Sequence, residues 1–415
     1  MKTIEKVFKN IKFNLQLFNT NTTNDTELSA EMKTYYDDEL IENATPLLIH
    51  AQFAQKKPIP KGKGKTIEFR KYEPLPKALV PLEEGVTPKG QKLQVGTIQA
   101  TVKQYGAYVE ISDMLDLTAI DNNLVEASTL LGHQSGITLD TLTREVMHQT
   151  TNVMVFDGTL SSRHQLQYDP ANGIAHTLTP DVILRAEHHM KTGLATKIDG
   201  AFVAIIHPSV AYDIKSHKDF IDVVKYNDAQ RIFEGEIGKF AGIRFIETTE
   251  AKITRGADLT EGARELTVLT AGTSATISVA EKITADDVAK LVGRLVLIDD
   301  ACYTVVSAVA GEAGQATITV DEEVTVSENA IIYPGEGAAK GRAVYSTLVL
   351  GANAYGVSEV EGGGLENIVK QRGAGDDPLN QRATSGWKST HAAEILVSDF
   401  LLRIDTVSNY DEDAN

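Results

Sequence analysis

The chain holds one cysteine, Cys302, among its 415 residues. An internal disulfide and a cysteine-based metal cluster are therefore excluded. This suits folding in a reducing compartment such as a bacterial cytoplasm. No apolar run approaches the ~18 residues that a membrane-spanning helix needs. Residues 1–18 carry lysines but no apolar core or small-residue cleavage signature, so no secretory signal is expected there. Positive charge is also short: 40 Lys and Arg stand against 57 Asp and Glu, a formal net charge of −17. Such a surface repels phosphate and argues against sequence-independent nucleic-acid binding over most of it. It does not forbid an enclosed nucleic acid, which an acidic wall would not hold fast.

Catalytic signatures are missing too. Lys61-Gly62-Lys63-Gly64-Lys65 lacks the spacing and the Ser/Thr of a phosphate loop, and it precedes a strand where a helix is required. It reads as a basic turn. Gly335-Glu336-Gly337 begins like a dinucleotide fingerprint, but Lys340 stands where the third glycine belongs. His188 and His189 are adjacent, so a helix would point them about 100° apart, away from a shared metal. His207-Pro208 reads as a strand boundary. Asp299-Asp300 and Asp376-Asp377 lack the interleaved ligands of a calcium loop and read as turns. Cys302 reads as a buried small residue, and no nucleophile elbow occurs. No catalytic, cofactor-binding or metal-ligating residue is expected. Trp387, the single tryptophan, reads as a packing anchor, with an inter-subunit contact as the alternative.

What the chain does have is a concentrated basic stretch over residues 56–111. Lys56, Lys57, Lys61, Lys63, Lys65, Arg70, Lys71 and Lys77 face only Glu68 and Glu73 in its first part. Prolines at 58, 60, 74, 76, 81 and 88 remove backbone donors and stiffen it. Runs at 66–69 and 95–102 are β-rich, which predicts a long two-stranded arm with almost no core of its own. A lone ribbon is marginal in water, so it must rest on something, and a neighbouring subunit is the simplest candidate.

Elsewhere the spacing predicts a short basic amphipathic helix over 1–14, a polar linker over 19–25 and a helix over 27–54. Ser112 and Asp113 cap a short helix. A long amphipathic helix follows over 123–150, with Leu124, Ala127, Leu131, Ser135, Leu139, Leu142 and Val146 along one face. Thr179-Pro180 opens a helix that stops at Gly193. Residues 202–206 are fully apolar and read as a central strand, and 242–247 as another. From about Thr254 to Gly341 the chain is rich in Thr, Val, Ala and Gly. Short strand-like pieces at 265–269, 275–279, 291–298, 303–306, 316–320 and 324–326 suggest a small inserted barrel or sandwich. Strand signals resume at 343–350, and 387–405 reads as a strand pair or one bent strand.

Several motifs in fixed order resemble one family. They are Glu84-Gly85-Val86-Thr87-Pro88, then Gln104-Tyr105-Gly106-Ala107-Tyr108-Val109-Glu110-Ile111-Ser112-Asp113. Residues 202–208 and 235–242 follow, and last Asp377-Pro378-Leu379-Asn380-Gln381-Arg382 with Gly386-Trp387-Lys388. Over roughly 30–250 and 343–405 the chain resembles tailed-bacteriophage major capsid proteins of the coliphage N-four group. The resemblance implies an α+β fold of the Hong Kong-97 type: an N-terminal arm (1–54), an extended β-loop (55–111), a peripheral domain with a spine helix (112–174 and 386–415) and an axial domain (175–253 and 342–385). The β-module at 254–341 lies outside it. The implied function is structural: self-assembly into hexamers and pentamers of an icosahedral shell that encloses double-stranded DNA. Implied partners are other copies of the chain, portal and scaffolding proteins, and a decoration protein. The implied location is the virion, assembled in the host bacterial cytoplasm. Neither sequence-specific DNA binding nor a membrane is implied. Two other classes stand beside this reading. One is a secreted or surface β-rich adhesin, against which the missing signal counts. The other is a hydrolase using His207 or the Asp pairs, which would need a pocket joining them.

Overall fold

The computed structural model describes residues 48–72, 75, 77–79, 81, 90–93, 95–118, 123–218, 220, 238–299, 301–361, 364–370, 379 and 381–415. The helix expected over 1–14, the linker 19–25, the motif at 84–88, residues 235–237 of the motif at 235–242, and Asp376-Asp377 lie outside them. Two compact units divide the chain. The first comprises Met1–Leu47, Gln104–Ile137 and Gly362–Thr390, and the second Leu48–Lys103, Thr138–Glu361 and His391–Asn415.

In the first unit, strand Lys103–Ser112 pairs with strand Arg382–Ile395, which also pairs with Glu366–Lys370. The latter pair is antiparallel, with Glu366 opposite Lys388. Two glycines let strands approach closely. A Cβ on Gly106 would lie 2.6 Å from the Trp387 carbonyl oxygen, and one on Gly386 2.7 Å from Tyr108 Cβ. The expected caps hold: the Met114 amide donates to Asp113 Oδ1 and the Leu115 amide to Ser112 Oγ, opening helix Asp113–Thr118. The long helix runs Asn123–Met147, close to the 123–150 expected from its apolar spacing.

The second unit is built on a seven-stranded sheet. Its order is Val153–Val155, Leu401–Thr406, Val344–Leu350, Phe202–Ile206, Ile243–Glu247 and Lys239–Phe240, with Ile253–Thr254 also on Val344–Leu350. The fully apolar run 202–206 is explained by burial on both faces. Phe202, Ala204 and Ile206 pack with Val182, Ile183, Met190 and Val210 of helices Pro180–Thr192 and Pro208–Ser216. Val203 and Ile205 pack on the opposite side with Met147, Tyr355 and Leu401. Here one boundary differs from the domain assignment the resemblance implies. Val153–Val155 and Leu401–Thr406, placed there in the peripheral region, join the same sheet as the axial strands. Leu401, Leu402 and Ile404 are apolar and buried, so this strand needs cover on both faces and finds it beside Val344–Leu350.

The segment 48–54 forms turns, not the helical end expected. Its backbone groups bond to side chains in place of a helical ladder: the His50 amide donates to Asp140 Oδ1 at 2.7 Å, and the Tyr355 hydroxyl donates to the His50 carbonyl.

The β-module closes into a six-stranded antiparallel barrel. The strand order is Leu266–Thr267, Ile331–Pro334, Leu295–Ile298, Ala301–Val309, Ala316–Val326 and Gly272–Val279. The edge strands meet through the Val268–Val279 bridge and through the Leu269 amide, which donates to Ser278 O at 2.9 Å. Its interior is Leu266, Val268, Ile277, Val296, Val305, Ile318 and Ile332. Alternating Val/Ile with Thr supplies the inward and outward faces. The strand expected over 291–298 is instead the end of helix Ala285–Leu291 followed by strand Leu295–Ile298. A capping box opens that helix: Thr284 Oγ1 accepts from the Asp287 amide while Asp287 Oδ2 accepts from the Thr284 amide. The barrel's ends are close, since Thr254 and Val344 are cross-strand partners.

Candidate assembly interface

The basic arm is a hairpin. Strands Thr66–Tyr72 and Val95–Thr101 pair antiparallel over seven positions, Thr66 opposite Thr101 and Tyr72 opposite Val95. Gly62 and Gly64 take φ of +79° and +95° in the turn before it, a conformation that suits glycine. Lys61-Gly62-Lys63-Gly64-Lys65 is thus a turn leading into a strand, as its sequence indicates.

The arm's root does have a core. Ile67 and Phe69 on one strand, with Ala100 and Val102 beyond them, are buried with Ile59 and Ala392, flanked by Val360 and Leu396. This corrects the expectation of an arm with almost no core. Period-2 alternation turns one face inward, and strands of the same chain cover it, so a neighbouring subunit is not needed to seat the root. Ile59 docks through the Ile59 amide to Glu359 O at 2.8 Å and the Glu361 amide to Ile59 O at 2.8 Å.

The described cations of this stretch lie at the surface. Lys56, Lys61, Lys63, Lys65, Arg70 and Lys77 are exposed, and among the described residues none has a carboxylate partner. Lys57 is the exception: its Nζ donates to the Glu68 carbonyl at 3.1 Å and lies 5.7 Å from the Phe69 ring centroid. Lys71 lies in the first strand, and its side chain is outside the described ones. Beside the root opens a groove of about 350 Å³, lined by Gln55, Lys57, Phe69, Arg70, Ile98, Asn353, Leu396 and Val397. Its floor is apolar, its charged members are both cationic, and no acidic residue lines it. Sequence reasoning did not find Asn353, Leu396 or Val397. They reach the groove through pairings some 300 residues away, which no local pattern announces.

Trp387 is a packing anchor. It is 4% exposed, packs on Leu131, and its Nε1 donates to Gln134 Oε1 at 3.2 Å. A ring so enclosed is not free for direct contact with another subunit.

The other candidates resolve into structural roles. His207 caps helix Pro208–Ser216: its Nδ1 accepts from the Ser209 amide at 3.3 Å. Burial lowers its pKa, and nearby Glu412 works against that shift. Ser209 Oγ donates to Glu412, and Glu412 also lies 3.5 Å from His207 Nε2. The Ser209 proton is therefore committed to the carboxylate and not to the imidazole, the reverse of an activated nucleophile. Asp299 occupies a left-handed turn position at φ +46°, as its turn assignment requires. His188 and His189 are exposed, with His189 Nε2 2.8 Å from Asn152 Oδ1. Cys302 is half-buried, less enclosed than expected, with Sγ 3.4 Å from His164 Nε2. Burial and Glu336 push its thiol pKa up, which makes it a poor nucleophile. Among the described residues no group of three or more His, Cys, Asp or Glu could hold a metal ion, and no helix is long and apolar enough to cross a membrane.

No family model matches the chain, and no curated protein matches it either. Solved structures do. The capsid of cyanophage P-SCSP1u is similar at 12% identity and a TM-score of 0.52, covering 87% of this chain and 89% of that one. The capsid of Ralstonia phage GP4 gives 12% identity and 0.52, covering 88% and 89%. The capsid asymmetric unit of cyanophage Pam1 gives 12% and 0.53, covering 85% and 87%. At such identity the likeness speaks for the fold: the chain has the Hong Kong-97-type fold of phage capsid proteins.

Proposed function

We propose that this chain is a structural major capsid protein of a tailed bacteriophage and not an enzyme. In this reading it assembles with copies of itself into hexamers and pentamers of an icosahedral shell around double-stranded DNA. The observation that carries the reading is a fold shared with phage capsids over 85–88% of the chain. A second one supports it: a hairpin whose root is seated at home while its exposed cations have no carboxylate partner among the described residues. A basic arm on an acidic chain makes a heterologous, head-to-tail contact, and such contacts close into rings. Opposite charge sets the register and rate of that contact more than its affinity.

The contact residues of the proposal are Lys56, Lys57, Lys61, Lys63, Lys65, Arg70, Lys71 and Lys77. The groove between Lys57 and Arg70 is suited to an acidic segment with an apolar residue. Trp387 leaves this set because it is buried. The motif order resembles that of the coliphage N-four group, and membership of that group belongs to the same proposal. Portal, scaffolding and decoration proteins, the virion as its location and the host cytoplasm as its place of assembly belong to the same proposal. The acidic chain encloses DNA without reading its sequence. The test is electron microscopy of the purified full chain beside the variant Lys61→Glu, Lys63→Glu, Lys65→Glu. Rings or shells from the first and folded monomers from the second support the proposal. Monomers from both overturn it.

A further inference from the structure

The second unit encloses a cluster of histidines that packing alone does not call for. His50 and Asp140 are both fully buried, and the contact joins segment 48–54 to the long helix. One carboxylate takes two bonds from one residue: Asp140 Oδ1 from the His50 amide at 2.7 Å, and Asp140 Oδ2 from His50 Nδ1 at 2.6 Å. The Tyr355 hydroxyl donates to the His50 carbonyl. Nearby, His391 Nε2 lies 3.0 Å from Thr143 Oγ1, whose own proton goes to the Leu139 carbonyl at 3.0 Å. His148 Nδ1 donates to the Arg144 carbonyl at 2.8 Å. His391 and His148 are buried as well.

The bonding partners fix how protons are held. A carbonyl only accepts, so His148 Nδ1 carries the proton, and its Nε2 is a buried lone pair with no partner among the described residues. His50 is the same: Nδ1 faces the carboxylate, and Nε2 is buried without a partner. A second proton on the His148 ring would be a buried donor with nothing to receive it, an expensive state. The charged neighbours add to this. His148 faces Arg144, Arg403 and Lys252: Arg403 Nη1 donates to the His148 carbonyl at 2.7 Å, and Lys252 and Arg144 both engage Glu145. His391 and Tyr355 face Asp140, the carboxylate that also holds His50.

We propose that this cluster is a pH-gated clasp: with His148 and His391 neutral it holds segment 48–54 on the helix, and on acidification their protonation releases that segment before the sheet unfolds. Geometry supplies the device, because one anion binds the segment while the buried rings of His148 and His391 beside it have little room for added charge. The titration agrees in direction. Burial lowers His148 to about 3 and His391 to about 4. A histidine so depressed stabilises the closed form fully above the ordinary imidazole pKa of about 6.5 and loses that contribution as pH falls. The inference stands independently of assembly, since every residue in it belongs to one unit of one chain.

Hydrogen exchange of the full chain, corrected for intrinsic rate, tests it at pH 7, 6, 5 and 4. Protection of 48–54 should fall at least tenfold over this range while 202–206 and 344–350 stay protected. His148→Gln with His391→Gln should flatten the fall. Should that double variant not fold, His391→Gln alone must open at lower pH than the wild type. Unchanged protection at 48–54 down to pH 4, loss only together with 202–206, or an unshifted midpoint in His391→Gln overturns the proposal.

Discussion

Replacing Phe69 with alanine removes the largest side chain of the cluster that seats the hairpin. Phe69 is 5% exposed and packs among Ile59, Ile67, Ala100, Val102 and Ala392. Burying that ring against its own chain separates this account from one in which the arm waits for a neighbour. A buried Phe→Ala change costs about 3–5 kcal/mol. The lower end applies, because the groove beside the ring lets water reach the vacated space. About 3 kcal/mol raises the open population of the root roughly 150-fold. The seven-residue register then has little else to hold it, since a two-stranded ribbon is marginal alone. Exchange of 66–72 and 95–101 should quicken by about that factor, with the seven-stranded sheet and barrel unchanged. Gly356→Ala attacks the same contact from the opposite side: its Cβ would lie 2.8 Å from the Phe69 ring, and the overpacking should cost about 1–3 kcal/mol. If Phe69→Ala leaves hairpin exchange within about threefold of the wild type, the seat described here is wrong.

Reversing Lys61, Lys63 and Lys65 to Glu should leave the melting temperature within a few degrees of the wild type, as they are exposed and have no carboxylate partner among the described residues, yet abolish particles; normal particles in micrographs would contradict the role given to the arm. Deleting 256–339 should leave a soluble chain with native exchange protection at 202–206, because Thr254 and Val344 are already cross-strand partners; an unfolded product by circular dichroism would make the barrel part of the core. Urea titrations at pH 7 and 5 check the buried histidines. With His148 held to about 3 and His391 to about 4, both stay neutral in the fold while the unfolded chain takes up protons. Each therefore withdraws about 2 kcal/mol over that interval, roughly 4 together, and equal stability at the two pH values would refute the assignment.

Much of the fold was legible locally. The run at 202–206 announced a strand covered on both faces, Thr179-Pro180 and Gly193 bracketed their helix, and short spaced strand-like pieces gave a small barrel or sandwich. The helix Ala285–Leu291 was missed although its capping box is written in Thr284 and Asp287, because seven residues show too little periodicity to compete with the β-rich run after them. The arm was legible as a hairpin, but the apolar face that Ile67, Phe69, Ala100 and Val102 share was not read from its β-rich runs. Nor was what that face covers, since Val360, Ala392 and Leu396 lie far along the chain. The same holds for the buried cluster: His50 meets Asp140 across 90 residues and Thr143 meets His391 across 248. Such pairs leave no trace in spacing, only in the fold that joins them.

The central claim is that this chain builds a shell from copies of itself. Electron microscopy of the purified full chain, taken across a range of concentrations, tests it most directly. The account predicts five- and sixfold rings or closed shells once the concentration is high enough. A monodisperse monomer at every concentration would contradict it.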